Sequence, residues 1–221
     1  MGDLTRESDS PSTEESLESK VHQEQNIFSP LLFPSIELDV DTLIKELRSS
    51  SEYLTEIARC LNRLNRLHIQ ASDRIQVIER RTFDLIHNPP TNSNPLDRSC
   101  AIATLMYIRS NMRDNVCNFR VVDTGKLKGA LRSLLELADL WKCGMDARSQ
   151  EKLVWTVGFG AVSSGDKPER PWFVRFFKDL CKTLRLRRWD DVKIVFETVL
   201  WRDDLDDEGI KLWEEAHIIT G

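Results

Sequence analysis

Asp203–Glu208 is the stretch whose residue types and spacing come nearest to a binding chemistry. Alternate acids from Asp204, then a glycine and the more distant Glu215, approximate the ligand order of a calcium-binding EF-hand loop. Against this, Glu208 is longer than the usual Asp or Asn, and Lys211 stands where an apolar residue is usual. The run therefore predicts an exposed loop leading into an acidic first helical turn, where carboxylates oppose the positive end of the helix dipole.

The cysteines could serve as nucleophiles or metal ligands only if suitable partners stood close to them. They are Cys60, Cys100, Cys117, Cys143 and Cys181. A zinc module needs closely spaced pairs of ligands, and these spacings are wide. Cys100 and Cys181 fall in apolar helical patterns, so we expect buried, reduced thiols.

The histidines and serines form no recognisable catalytic set. Four histidines are scattered along the chain, and the nucleophile-elbow, phosphate-loop and His-Glu-x-x-His motifs are missing from the sequence. We therefore expect no catalytic, cofactor-binding or metal-binding residues, no cofactor, and a protein that is not an enzyme.

Gly158-Phe159-Gly160 opens a Gly-x-Gly-x-x-Ser string that superficially resembles a dinucleotide-binding loop. That chemistry needs a strand before the loop and a helix that begins at it. Leu153, Val154 and Trp155 instead continue an apolar helical pattern into the string. The glycines are expected to lie within a helix and to permit close helix packing.

Lys182, Arg185, Arg187 and Arg188 form the only local basic cluster. It could bind phosphate or serve as an import signal. Asp190 and its neighbour follow at once, however, and cations near a helix C-terminus are favourable without any ligand. We expect a solvated helix end, and no DNA reading from this cluster alone.

The net charge of −5 is concentrated near the N-terminus. Residues 1–26 are rich in Ser and Glu and almost free of bulky apolar residues, so they are expected to be disordered. Ile27–Ile36 is apolar but broken by prolines; it could pack on the body, which we favour, or dock on a partner. The sequence thus predicts an acidic arm over 1–36 and a helical domain over 37–221. Without a long apolar run, a membrane span is not expected, and we expect an intracellular protein.

The elements that must position these residues are all predicted to be helical, because apolar residues recur at three- and four-residue spacing and no sustained alternation occurs. We predict an all-α fold: a single irregular domain of about seven to eight helices. The first helical stretch begins at Val40 and is either one long helix or two helices with a break near Ser49–Ser51. The later helices are predicted over 73–87, 97–114, 124–141, 149–163, 171–186, a stretch from Trp189, and 206–217. Ser149 is the predicted N-cap of the helix 149–163.

The six tryptophans all lie between positions 141 and 213. Each falls on an apolar helical stripe, which favours packing at helix crossings. An alternative is an aromatic ligand pocket lined by Trp155, Trp172 and Phe176.

At these tryptophan strings the chain resembles the fungal-specific transcription factor regulatory domain, the all-helical region C-terminal to zinc-cluster DNA-binding domains. The likeness runs from about Asp97 to Glu215 and continues more weakly over 40–96. Its signature positions, which also suit core packing, are Trp155, Arg170, Pro171, Trp172, Phe173, Trp189, Trp201 and Trp213. The resemblance implies transcription regulation in a fungal nucleus, often of a metabolic or secondary-metabolite gene set, through ligands, partners and dimerisation.

The zinc-cluster module of that family, two tight cysteine sets flanked by Lys and Arg, has no counterpart here: the first cysteine is Cys60 and the N-terminal region is acidic. The family's DNA binding is therefore not transferred to this chain. We expect a transcription regulator-like protein that acts through a protein partner, either a paralogous transcription factor or a second copy in a homodimer. The alternatives are a small-molecule-sensing helical module and a truncated fragment of a full zinc-cluster factor.

Overall fold

Helices supply the regular structure of the described residues, as the apolar spacing predicts. A computed structural model describes residues 39–59, 65–91, 93–112, 128–133 and 145–218. Over these ranges there are helices and turns but no strand, which confirms the all-α fold. The predicted arm, 1–36, lies outside the described residues, which all belong to the compact unit Leu38–Gly221.

The α-helices are numbered in chain order. They are α1 (Val40–Arg59), α2 (Asn65–His87), α3 (Pro95–Tyr107), α4 (Ala147–Ser164), α5 (Arg170–Thr183), α6 (Trp189–Val199) and α7 (Asp206–Ile218). A π-helix, Ile108–Met112, extends α3, and a 3-10 turn, Asp203–Leu205, precedes α7. Residues 128–133 are also helical; the rest of the predicted helix 124–141 lies outside the described residues.

Of the two alternatives for the first helical stretch, the break near Ser49–Ser51 is not observed, because α1 runs through these serines without interruption. The Ser50 hydroxyl donates a hydrogen bond to the carbonyl oxygen of Glu46 at 2.9 Å, one turn back in the same helix. This bond lets a buried serine remain in the helix interior instead of ending it. The following helix, α2, begins at Asn65, earlier than the predicted start at 73.

Ser149 is not the N-cap of α4; Asp146 is. The Asp146 carboxylate accepts a hydrogen bond from the backbone N–H of Ser149 at 2.7 Å. That bond lowers the pKa of the Asp146 carboxyl below its usual value. The helix consequently begins at Ala147, two residues before the predicted start.

The core is organised around α4, which contacts α3, α5, α6 and α7. Its residues from Lys152 to Ala161 are buried without interruption. Helices buried on all sides are typical of the centre of a bundle. The predicted starts of the last three helices agree with the structure to within one residue, with Pro171 in the first turn of α5.

The C-terminal end of α5 differs from the prediction of 186. The N–H of Leu186 donates to the carbonyl oxygen of Cys181 at 2.9 Å, and the N–H of Arg185 to that of Lys182 at 3.2 Å. Arg185 has a φ of 60°, in the left-handed region. These bonds form a Schellman motif, which ends the helix at Thr183 and turns the chain toward α6.

Candidate functional site

The two glycines of the Gly-x-Gly string allow α5 and α6 to approach α4. A Cβ at Gly160 would lie 2.7 Å from the ring of Phe173, and one at Gly158 would overlap the ring of Phe196. Both glycines lie inside α4 and no strand precedes them in the described residues. The predicted role in close helix packing is confirmed, and the context of a dinucleotide loop is missing.

Trp155 is a buried link between α4 and the end of α6. Its side chain is fully buried, and its indole Nε1 donates a hydrogen bond to the carbonyl oxygen of Leu200 at 2.5 Å. Its ring stacks on that of Phe159, with centroids 5.6 Å apart. The donor is satisfied within the protein, so this tryptophan packs as the helical stripe predicts.

The Arg170-Pro171-Trp172-Phe173 string joins three helices where α5 begins. The Arg170 guanidinium donates to the carbonyl oxygen of Ala161 at 3.0 Å and pairs with the carboxylate of Glu215 at 2.8 Å. Phe173 is fully buried. The string therefore ties the first turn of α5 to the end of α4 and to α7, and Glu215, the distal acid of the EF-hand-like pattern, is engaged by a cation.

Trp189, at the start of α6, forms an aromatic contact with Trp201, which lies in the connection between α6 and α7. Their ring centroids are 6.1 Å apart, and the ring of Phe196 lies 4.7 Å from that of Trp201. The Trp201 Nε1 donates to the carboxylate of Asp206 at 2.9 Å. A Cβ at Gly209 would overlap the Trp189 ring, so this glycine is required for the close approach. Trp213, in contrast, is half-buried and packs on His217 one turn later, with ring centroids 3.8 Å apart.

Most carboxylates of the acidic run are paired with protein cations. The Lys193 ammonium lies 2.5 Å from Asp206 and 3.2 Å from Asp203, and the hydrogen bond to Asp206 raises the pKa of Lys193. Lys211 pairs with Glu208 at 2.6 Å. The run forms a 3-10 turn and the acidic first turn of α7, as predicted. No group of three or more possible metal ligands occurs in the part of the chain that the structure describes.

The predicted ligand pocket is only partly assembled from its three residues. Trp172 and Phe176 are in contact, with centroids 5.3 Å apart, and the Arg132 guanidinium lies 5.3 Å from the centre of the Trp172 ring. Trp155 instead stacks on Phe159. A pocket shared by all three residues therefore stays a prediction.

Cys100 and Cys181 are buried free thiols, as predicted. Burial raises the pKa of each thiol to about 12. The thiolate is the form that attacks electrophiles and binds metals, so neither group suits a nucleophile or a metal ligand near neutral pH. The other three cysteines lie outside the described residues.

Lys152 is a buried cation that sequence reasoning missed. Its ammonium lies 2.7 Å from the carboxylate of Asp41 and 3.2 Å from that of Asp97, which joins α4 to α1 and α3. Burial lowers the pKa of Lys152, but the two carboxylates outweigh this effect and the pKa is raised. The available signal was a lysine at the start of an apolar run, but its partners lie far away in sequence.

The outer surface of the described residues carries a few exposed apolar side chains and the predicted basic cluster. The exposed large apolar side chains are Val77, Phe83, Ile194 and Ile210. The predicted basic cluster lies at the end of α5 and in the following turn, where all four of its side chains are exposed. This placement confirms the predicted solvated helix end.

No helix among the described residues has the length and apolar character that a membrane crossing requires.

Comparisons with known proteins give no relative for this chain. No family model, curated protein or solved structure matches the sequence or the fold.

Proposed function

We propose that this chain is a transcription regulator-like protein that acts by binding other proteins, not an enzyme. The observation that carries the proposal is the placement of the signature residues. Trp155, Arg170 and Trp189 join α4, α5, α6 and α7 into one scaffold. Such a scaffold suits a domain that presents its outer faces to a partner.

The chemistry of the described residues also favours binding over catalysis. The two thiols are buried and protonated near neutral pH. Lys193 and Lys211 pair with three acids of the acidic run, Asp203, Asp206 and Glu208. Catalysis needs a nucleophile, acid or base placed within reach of a substrate. The surface, in contrast, offers apolar and basic side chains to a partner.

The partner we propose is a paralogous transcription factor or a second copy of this chain, in a fungal nucleus and at metabolic or secondary-metabolite genes. Pairing with such a factor through this helical domain would change that factor's transcriptional output. The proposal draws on the sequence resemblance to the fungal regulatory domain.

A tethered reporter assay tests this function. The full chain is fused to a heterologous DNA-binding domain and brought to a reporter promoter in a yeast. A protein that regulates through partners changes reporter output when tethered, whereas the DNA-binding domain alone does not. Unchanged output with a folded, nuclear fusion contradicts the proposal.

Electrophoretic mobility shifts test the second part, that the chain does not read DNA by itself. We expect no sequence-selective complex with the isolated chain. Tight, selective binding that persists at physiological salt would overturn the protein-only account, because electrostatic, non-selective binding weakens steeply with salt.

A small-molecule-sensing function is the second candidate, and the surroundings of Trp172 favour it. Among the described residues, Ser163 Oγ and Glu169 Oε2 are buried without a hydrogen-bond partner. Near the same helix junction, Arg132 and Phe176 contact the Trp172 ring. Ligand sites are typically lined by aromatic side chains together with a few polar groups.

Thermal-shift screening with metabolites tests the sensing candidate. A ligand at about 100 times its dissociation constant adds about 2.7 kcal/mol to the free energy of unfolding. The shift should disappear in Trp172→Ala and persist in Val77→Ala, a substitution on the outer face of α2. An equal shift in both variants, or none in wild type with any metabolite, would reject this candidate.

A further inference from the structure

We propose that the basic surface at the end of α5 is a docking surface for an acidic segment of a protein partner. The basic surface is defined by Arg175, Lys178, Lys182, Arg185, Arg187 and Arg188. This inference rests on the proposed protein-binding function and names the chemistry of the partner that one face would take.

The helix geometry places three of these cations on one face of α5, and the other three follow directly after the helix end. Arg175, Lys178 and Lys182 follow three- and four-residue steps along α5, which align side chains on one side of a helix. The Schellman turn then carries Arg185 beyond the helix end, and Arg187 and Arg188 follow it. All six are exposed except Lys178, which is half-buried.

Arg185 occupies a backbone conformation that glycine would adopt at lower cost. Its φ of 60° lies in the left-handed region, and the position is the one where helices most often end in Gly. A side chain there carries a steric penalty that glycine does not have. The guanidinium is thus presented to solvent at a conformational cost, which is the kind of local strain that points to use.

The cations of the basic surface are not paired with carboxylates of the described residues. Several cations elsewhere in the described ranges are, as in Arg81–Glu46, Arg109–Glu79 and Arg170–Glu215. The ion pairs of the described residues include none of the six side chains of the basic surface. The Asp191 carboxylate accepts hydrogen bonds from the backbone N–H groups of Arg187 and Arg188 at 3.0 Å each, and makes no ion pair with their side chains. Within the part of the chain that the structure describes, the six side chains are therefore free of direct ion pairs, although the Asp191 carboxylate offsets part of the charge of Arg187 and Arg188.

Two exposed carboxylates decide which polyanion fits. Asp179 lies among the α5 cations and Asp190 follows the turn. Nucleic acid has a phosphate at every few ångströms and would meet these carboxylates with like charge. A peptide can place neutral or apolar residues opposite them, and the half-buried Leu184 and Leu186 offer it apolar contacts between the cations. An acidic peptide segment therefore fits better than a phosphate backbone.

Fluorescence anisotropy with the full chain tests the inference. The probes are a labelled peptide of about 12 residues with alternate glutamates and leucines, and a labelled duplex DNA of similar length and scrambled sequence. The test variant is Lys182→Glu with Arg187→Glu. Its matched control is Lys45→Glu with Arg98→Glu, which makes the same charge change at two exposed positions on α1 and α3.

We expect wild type to bind the peptide more tightly than the DNA at an ionic strength of about 0.15 M. The test variant should lose about tenfold or more in peptide affinity, while the control stays within about twofold. Absence of peptide binding, equal losses in both variants, or tighter binding of DNA that the test variant abolishes would each overturn the inference.

Arg185→Gly supplies a readout that a purely structural role would not give. Glycine relieves the left-handed strain, so the thermal midpoint should rise by about 2 to 4 °C. Peptide affinity should fall nevertheless, because a cation of the basic surface is gone. A rise in both quantities would contradict the docking role. If the tethered reporter responds but the peptide does not bind, only this inference fails and the proposed function stands.

Discussion

The indole N–H of Trp155 donates to the carbonyl oxygen of Leu200, the residue that caps the C-terminal end of α6. The last carbonyl groups of a helix have no partner within the helix. A side chain from the centre of α4 supplies one here, in a site where both groups are buried. This bond explains why a tryptophan, and not another large apolar residue, stands at position 155.

Trp155→Phe should therefore destabilise the protein by about 1 to 3 kcal/mol, because it leaves a buried carbonyl without its donor and removes part of a packed ring. Urea unfolding followed by circular dichroism measures the change. Ile194→Ala, at a side chain that is 62% exposed, is the control and should change stability little. Equal stability of Trp155→Phe and wild type would show that the bond is not needed.

Gly158→Ala should destabilise the protein by about 1 to 3 kcal/mol, since the added Cβ would overlap the Phe196 ring and force α4 and α6 apart. Gly129→Ala is the matched substitution, because a Cβ at Gly129 would meet no atom within 4 Å. It should be neutral or stabilising by up to about 1 kcal/mol. Thermal unfolding of both variants checks the pair, and equal effects would contradict the close packing.

Lys152→Met should lower the free energy of unfolding by about 1 to 3 kcal/mol. The loss is smaller than for a fully buried ion pair because Asp41 and Asp97 are partly exposed. Lys45→Met, at an exposed position on α1, is the control and should have little effect. The pKa of Lys152 is raised in the folded protein, so its stabilising contribution is complete below its ordinary value of 10.5 and is lost as pH rises through the folded value. Wild type should therefore lose its advantage over Lys152→Met in strongly alkaline solution; a constant difference would contradict the ion pairs.

The buried thiols predict a second alkaline effect. Unfolding exposes Cys100 and Cys181, whose thiols then ionise near 9.0, whereas burial holds them protonated to about 12. The stabilisation that the protonated thiols give to the folded protein is complete below about pH 9 and is lost as pH rises toward 12. Denaturant titrations of wild type and of the double variant Cys100→Ala, Cys181→Ala over this interval should show a shallower decline in the variant. Equal slopes would contradict thiol burial.

The parts of the fold that local signals encode were predictable. Pro171 suits the first turn of α5, and the acidic run suits the first turn of α7; the structure has both helices where these residues place them. The N-cap of α4 was missed by three residues because Asp146 and Ser149 are both good caps, and only the observed hydrogen bond distinguishes them.

The features that escaped prediction depend on contacts between distant residues. The bonds of Lys152 to Asp41 and of Trp155 to Leu200 each join helices far apart in sequence. The sequence left open whether α1 would break near its serines; the structure has an unbroken helix in which the Ser50 hydroxyl donates to the carbonyl oxygen of Glu46. Apolar spacing identifies a helix and its buried face but does not say which partner completes a buried polar group.

The tethered reporter measurement tests the central claim most directly. Wild type, the DNA-binding domain alone, and a Gly158→Leu fusion that cannot pack α4 against α6 are compared in one strain at matched protein levels. The account predicts a several-fold change in reporter output with wild type only, together with no selective DNA complex from the untethered chain. Output equal to that of the DNA-binding domain alone, or selective DNA binding by the isolated chain, would contradict a regulator that works through protein partners.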